Sequence, residues 1–281
     1  MSLLNAFGGE RAASAYTISA AIIAGSGALL MLLSGFVLRE RIEPPAGGVP
    51  FRRNIHTILD NVPLKALMAA LLIMNMVNSI RQVVQMYFAV YVWGDSGYVT
   101  FIGLSLVLGM ITGMAVSPAL IRRYDKKVLF LIACAAGAVT SLLPYLFGVE
   151  PVVSLVILGF NFAFSGVTSI TSTSMLMDCI DYAEYKLGFR GEGIVFSMNT
   201  FLTKLSATIS KAVLGVSMTL MSYRDNMEPN DTVKAGFTFI VLAVPAICFA
   251  LSMLPLVFYK LKPAQLTAIR TELDARRSAE K

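Results

Sequence analysis

The chain has 281 residues, of which 56% are hydrophobic and only 14% charged, with a formal net charge of +6 and a mean hydropathy of +0.71. That balance excludes an ordinary water-soluble domain, in which roughly a quarter of the residues are charged. The basic residues fall in short loops and in the tail instead of a patch interleaved with aromatics, so they fit membrane topology and exclude a nucleic-acid partner. Cys134 and Cys248 sit inside apolar runs, Cys179 in a charged segment, and His56 stands alone, so neither a disulfide nor a metal centre is expected.

A membrane-spanning helix needs roughly 20 apolar residues. Seven runs qualify, at 15 to 38, 64 to 93, 97 to 121, 128 to 148, 151 to 177, 194 to 222 and 235 to 259. Lipid leaves no partner for unpaired backbone groups, and no run alternates like a barrel strand, so the expected class is an all-α polytopic membrane protein with about seven spanning helices. No cleavable leader is expected, because Glu10 and Arg11 interrupt the first fourteen residues.

The first run is followed by a long loop, 39 to 63, with Arg39, Arg41, Arg52, Arg53 and a PPAGG stretch. The second run carries Asn75, Asn78, Arg81, Gln82 and Gln85 at helical steps. Arg81 has two open readings: a bidentate clamp for a substrate carboxylate, or a structural guanidinium held by carbonyls or by an acid elsewhere. After the third run comes the RRYDKK turn, Arg122 to Lys127. The fifth run offers Asn161, Ser165, Thr168 and Ser172 on one face, suited to sugar hydroxyls and equally to interhelical contacts.

The next segment, MDCIDYAEYKLGFRGEG, concentrates Asp178, Asp181, Tyr182, Glu184, Tyr185, Lys186, Arg190 and Glu192, and reads as a structured polar loop. Catalysis by its carboxylates is not expected, since a hydrolase needs a dry cleft and an acid of raised pKa. A gate is the sharper expectation, with Asp178, Asp181, Tyr182, Glu184, Arg190 and Glu192 pairing against the long basic loop or the RRYDKK turn; a plain topological anchor is the alternative. In the sixth run Ser197, Thr200, Lys204, Thr208 and Lys211 share one face, expected to look into the bundle, and Lys204 lies about 15 Å deep. A lysine at that depth lines a cavity or pairs with an acid. Lys260, Lys262, Arg270, Arg276, Arg277 and Lys281 enrich the tail. With the basic loops after the first, third and fifth runs, they predict an external N-terminus and a cytoplasmic C-terminus.

The text D-x-x-D-Y-x-E-Y-K-x-G-x-R-x-E-G from Asp178, followed by F-S-x-x-T-F-x-x-K-L from Phe196, resembles the loop between helices ten and eleven, and helix eleven itself, of the glycoside-pentoside-hexuronide:cation symporters. These melibiose permease-like proteins are a branch of the major facilitator superfamily. The resemblance implies helix six plus the C-terminal six-helix half of that fold. It divides the chain into the end of an N-terminal half (1–38), a central cytoplasmic loop (39–63), a six-helix bundle (64–259) and a cytoplasmic tail (260–281). It also implies cation-coupled transport of a sugar, glycoside or hexuronide by alternating access. Lys204, Thr200, Ser197, Arg81, Asn78, Gln85, Asn161 and Thr168 are then the site-lining candidates, no cofactor is needed beyond H+ or Na+, and the setting is a bacterial inner membrane with its lipid. The family's coupling aspartates lie on N-terminal helices, about five of which the chain lacks. Some members stack sugars on a tryptophan of the fifth run, where this chain has Phe160, Phe162 and Phe164. Other readings are a seven-helix receptor, or a non-transporting half that pairs with its missing partner in cis or in trans.

Overall fold

The computed structural model describes residues 13–37, 58, 60–223 and 230–279. The chain divides into two compact units, Met1–Val49 and Pro50–Lys281. The first contributes α1 (Ala13–Val37), an apolar helix in which Ser26 and Ser34 return their hydroxyls to the carbonyls of Ile23 and Met31.

The second unit is built from α2 (Val62–Tyr91), α3 (Tyr98–Arg123), α4 (Lys126–Leu146), α5 (Pro151–Leu187), α6 (Glu192–Leu220), α7 (Asp231–Phe258) and α8 (Pro263–Ala279). Local chemistry fixes several boundaries. Asn61 caps α2 by accepting from the Leu64 N–H and donates to Cys179 O, which ties the start of α2 to α5. Asp125 caps α4 through the Lys127 N–H, and Asn230 caps α7 through the Val233 N–H. Gly188, at φ 72°, ends α5 in the left-handed conformation. In α7, Pro245 has no N–H to offer the preceding turn, and the helix widens over Phe239–Ala243 so that the Val244 N–H reaches Phe239 O, five residues back.

Packing in this unit follows a three-plus-three pattern. α3 lies on α5 and α6 on α2; α4 lies on α5 and α7 on α2; α4 and α7 also meet. Exchanging α2, α3 and α4 for α5, α6 and α7 reproduces the same set of pairs, as an internal repeat requires. The main core gathers Leu67, Leu71, Phe130, Met175, Leu176 and Phe249 around α2. A second cluster at the other end stacks Tyr87, Tyr91, Tyr223 and Phe237, with the Tyr91 and Tyr223 hydroxyls 2.8 Å apart. Lipid tails are as apolar as leucine, so helix association draws chiefly on close packing and hydrogen bonds.

Among the described residues six helices are long and apolar enough to cross a membrane: α1 to α5 and α7. α6 is 29 residues long, enough for a span, and its lysines and its polar stripes keep it out of that set. Two expectations change in outline. The expected polar loop after residue 177 is mostly helix, because α5 continues to Leu187 with Cys179, Ile180 and Ala183 buried along one side. The expected tail contains α8, which buries Leu266, Ile269 and Leu273 at helical spacing.

Candidate functional site

A cleft of about 120 Å³ opens between α2, α5 and α6. Asn75 and Asn78 reach it from α2, Thr168, Ser169, Ser172 and Thr173 from α5, and Asn199 and Thr203 from α6, over a floor that includes Leu71, Met74 and Phe130. Asn75 donates to Thr203 Oγ1 at 3.3 Å across it. Its polar lining is neutral amides and hydroxyls, which give and accept hydrogen bonds without the desolvation penalty of a charge.

The candidates divide into three groups. Asn78 and Thr168 line this cleft together. Arg81 and Asn161 lie elsewhere, in a buried network between α2, α4 and α5. Arg81 is 3% exposed, donates to Asn161 Oδ1 and to Ser141 Oγ at 2.9 Å, and sits 5.5 and 5.7 Å from the ring centres of Phe162 and Phe249. Asn161 donates in turn to Gly137 O, Thr140 Oγ1 and Ser141 Oγ. Neutral acceptors and two aromatic faces meet this guanidinium, and no carboxylate pairs with it among the described residues. One turn farther along, the buried Gln85 Oε1 meets no donor among the described residues, and the buried Arg81 Nε–H meets no acceptor among them. Arg81→Gln in a complete transporter is therefore expected to lower uptake of a uronide and of its neutral parent sugar by the same factor, measured as paired initial rates. A selective loss of the uronide would assign the guanidinium to substrate instead.

The third group is the stripe on α6. Ser197, Thr200 and Lys204 are exposed on the outside of the six-helix unit, where the sequence expectation turned them into the bundle. The reason is a neighbouring polar stripe, in which Asn199 and Thr203 line the cleft and Ser206 and Ser210 are buried against α2. Ser206 Oγ donates to Leu72 O at 2.8 Å and Ser210 Oγ to Met76 O at 3.4 Å, so small hydroxyls dock α6 on α2. Its steps of four, three and four were as visible in the sequence as those of the lysine-bearing face. The lysine-bearing face carries the charges, which makes it the poorer packing surface.

At one end of the unit stands an ion-pair cluster. Asp178, fully buried, receives both Lys126 Nζ contacts at 2.7 Å and Arg270 NH2 at 2.8 Å. Asp181 accepts from Arg270 Nε at 3.0 Å and from Arg190 at 3.1 Å; Glu184 and Glu192 each accept from Arg190 at 3.0 Å. Partial desolvation lowers the Arg190 pKa, yet hydrogen bonds to Glu192 and Glu184, the Glu192 charge and the bond to Asp181 outweigh it and hold the guanidinium above its ordinary value. The RRYDKK turn thus supplies one partner, Lys126, while α8 supplies Arg270, which the sequence places in the basic cytoplasmic tail. Tyr182 stays outside this cluster and lines a groove against α8. Most of the long basic loop, including Arg52 and Arg53, lies outside the described residues.

A family profile described as MFS/sugar transport protein matches residues 1–263. The chain is similar to a provisionally named sulfoquinovose importer of Salmonella typhimurium, 27% identical over 268 residues, with 93% of this chain and 56% of that protein covered. It is also similar to two proteins of Escherichia coli strain K12. One is a provisionally named glycoside/cation symporter, YagG, at 26% identity over 91% of this chain and 56% of that one. The other is a glucuronide carrier protein homolog, at 24% over 96% and 60%. The chain spans a little over half the length of these relatives. With a profile match that runs from the first residue into α8, and six helices able to span, this integral membrane protein belongs to the MFS/sugar transport protein family, among relatives of the glycoside-pentoside-hexuronide:cation symporter type.

Proposed function

We propose that the chain supplies the last helix of one half and the whole six-helix second half of a secondary transporter that moves a sugar, glycoside or hexuronide together with H+ or Na+. The observation that carries this reading is the cleft of amides and hydroxyls between α2, α5 and α6. Sugars present many hydroxyls that both donate and accept, and neutral side chains of the same kind are matched to them. The repeated packing of the unit supports rocking as a body against a second half. On this reading Lys204, Thr200 and Ser197 face that second half across the substrate path, and Lys204 gives a charge-assisted bond to a sugar hydroxyl or to a coupling carboxylate. The ion-pair cluster closes the end of the path that faces the cytoplasm of a bacterial inner membrane.

Relatives named for sulfoquinovose, glucuronide and isoprimeverose support a saccharide substrate and leave its identity open. The test is uptake by the complete reading frame that contains this chain, in cells without their own glycoside carriers, with the proton and sodium gradients collapsed in turn. Uptake that fails with one gradient supports the reading; uptake indifferent to both retires the coupling. Lys204→Ala is expected to reduce that uptake by roughly 10-fold or more, the scale of one lost charge-assisted hydrogen bond. The 281 residues reconstituted alone are expected to show no gradient-driven uptake.

A second reading, a half that assembles with a separately encoded partner, fits the same cleft. It is separated from the first by the length of the native reading frame upstream of Met1.

A further inference from the structure

The end of the unit that carries the ion-pair cluster has a second concavity, made of different chemistry. It is a groove of about 640 Å³ between the start of α2, the last turns of α5 and α7, and one side of α8. Pro63, Phe258, Leu261 and Ile269 give it apolar walls, and Lys260 stands at its edge. A furrow of about 480 Å³ continues from it between α2 and α7, sharing Val62 and Phe258 with the groove, lined by Ala66 and Ala69, and carrying Lys65.

Two observations identify what fits. The furrow runs along helices that have the length and hydropathy of spans, and its rims are exposed: Val62 is 52%, Leu254 62% and Phe258 62% accessible. In a bilayer such a surface meets acyl chains. The cations supply the second. Lys126, Arg190, Arg270 and Arg276, at the same end, are paired with carboxylates, and Lys127 and Lys186 reach the carbonyls of Tyr259 and Asp60. Of the cations with no acid partner among the described residues, Lys65 and Lys260 are the ones that line the furrow and the groove, and both are exposed. Two uncommitted ammonium groups at the mouth of an apolar furrow, where the helices leave the hydrocarbon, match a lipid with a negative headgroup. The groove's volume lies within the range of small-molecule sites.

We propose that this groove binds an anionic phospholipid, its phosphate drawn to Lys65 and Lys260 and one acyl chain lying in the furrow between α2 and α7. The experiment is native mass spectrometry of the purified, delipidated chain titrated with phosphatidylglycerol or phosphatidylcholine. The unaltered chain is expected to retain phosphatidylglycerol roughly 10- to 30-fold better, the scale of two lysines acting on one headgroup. Lys65→Gln with Lys260→Gln is expected to remove that preference, whereas Lys234→Gln, on an exposed lysine at the other end of α7, leaves it intact. Ala69→Trp fills the furrow, spares both lysines, and is expected to lower retention of both lipids. Equal retention of the two lipids by the unaltered chain overturns the proposal, as does a preference that survives the double substitution or retention unmoved by Ala69→Trp.

Discussion

A Gly113→Leu chain is expected to unfold at a clearly lower temperature in detergent, with a loss of about 3 kcal/mol, at the upper end of the range for overpacked contacts. α3 and α5 meet backbone to backbone. A Cβ at Gly113 would stand 2.0 Å from Ala163 O, one at Gly109 2.4 Å from Gly159 O, and one at Gly166 2.6 Å from Met110 O. In each case the nearest obstacle is main chain, which moves only if the helices separate. Separation also forfeits the contacts that substitute for a hydrophobic drive inside lipid. The comparison is built into the same helices: Gly103 on α3 and Gly159 on α5 have nothing within 4 Å of an added Cβ, so alanine at either is expected to melt with the parent. Thermal unfolding followed by circular dichroism reads all of these. A Gly113→Leu protein as stable as the parent would mean that α3 does not approach α5 this closely.

Asp178→Leu is expected to cost about 2 to 3 kcal/mol and to loosen α8. Breaking a buried ion pair costs roughly 3 to 5 kcal/mol when both charges are buried. Asp178 is fully buried, but Lys126 is 23% and Arg270 49% exposed, so water recovers part of the loss. Removal of the carboxylate leaves Arg270 only Asp181, and the charged tether between α5 and α8 is halved. Faster tryptic cleavage within Pro263–Ala279 reports that release. Lys126→Met combined with Asp178→Leu is expected to recover part of the stability, because taking out both charges leaves none stranded. Strict additivity of the two single losses would show that they are not coupled. Asp181→Asn is expected to matter less, since its second partner, Arg190, is 36% exposed and keeps Glu184 and Glu192.

Helix number and placement were legible because hydrocarbon thickness sets the length of an apolar run. The second run, drawn at 64 to 93, is Val62–Tyr91, and the sixth, drawn at 194 to 222, is Glu192–Leu220. Hydropathy failed where a helix leaves the lipid. Asp178, Asp181 and Glu184 read as loop because they are charged, yet an α-helix accepts them once it has passed the apolar layer and neighbouring cations are in reach. α8 was missed for the same reason: Leu266, Ile269 and Leu273 form a narrow stripe in a polar background, shorter than any span. The cleft was half legible. Asn78 and Thr168 follow from polar residues at helical spacing, but which of two adjacent polar stripes on α6 turns inward depends on the surface of α2, through the carbonyls of Leu72 and Met76. The split of Asn78 from Arg81, one turn apart, likewise depends on where α4 places Ser141.

α5 runs unbroken for 37 residues, about 55 Å, against a hydrocarbon layer of about 30 Å. Its middle, from Ser165 to Leu176, forms a wall of the cleft, and its C-terminal end carries the acids that hold Lys126, Arg190 and Arg270. From Thr168 to Glu184 there is no proline, no glycine and no widened turn to absorb bending. The helix is therefore a stiff lever: a tilt of about 10° around Thr168 displaces Asp181, about 20 Å away along the axis, by about 3.4 Å. A displacement of that size exceeds the 3.0 Å between Arg270 and Asp181, so a tilt of α5 against α8 has to re-form that pair, while Arg190, in the turn that follows α5, travels with Glu184.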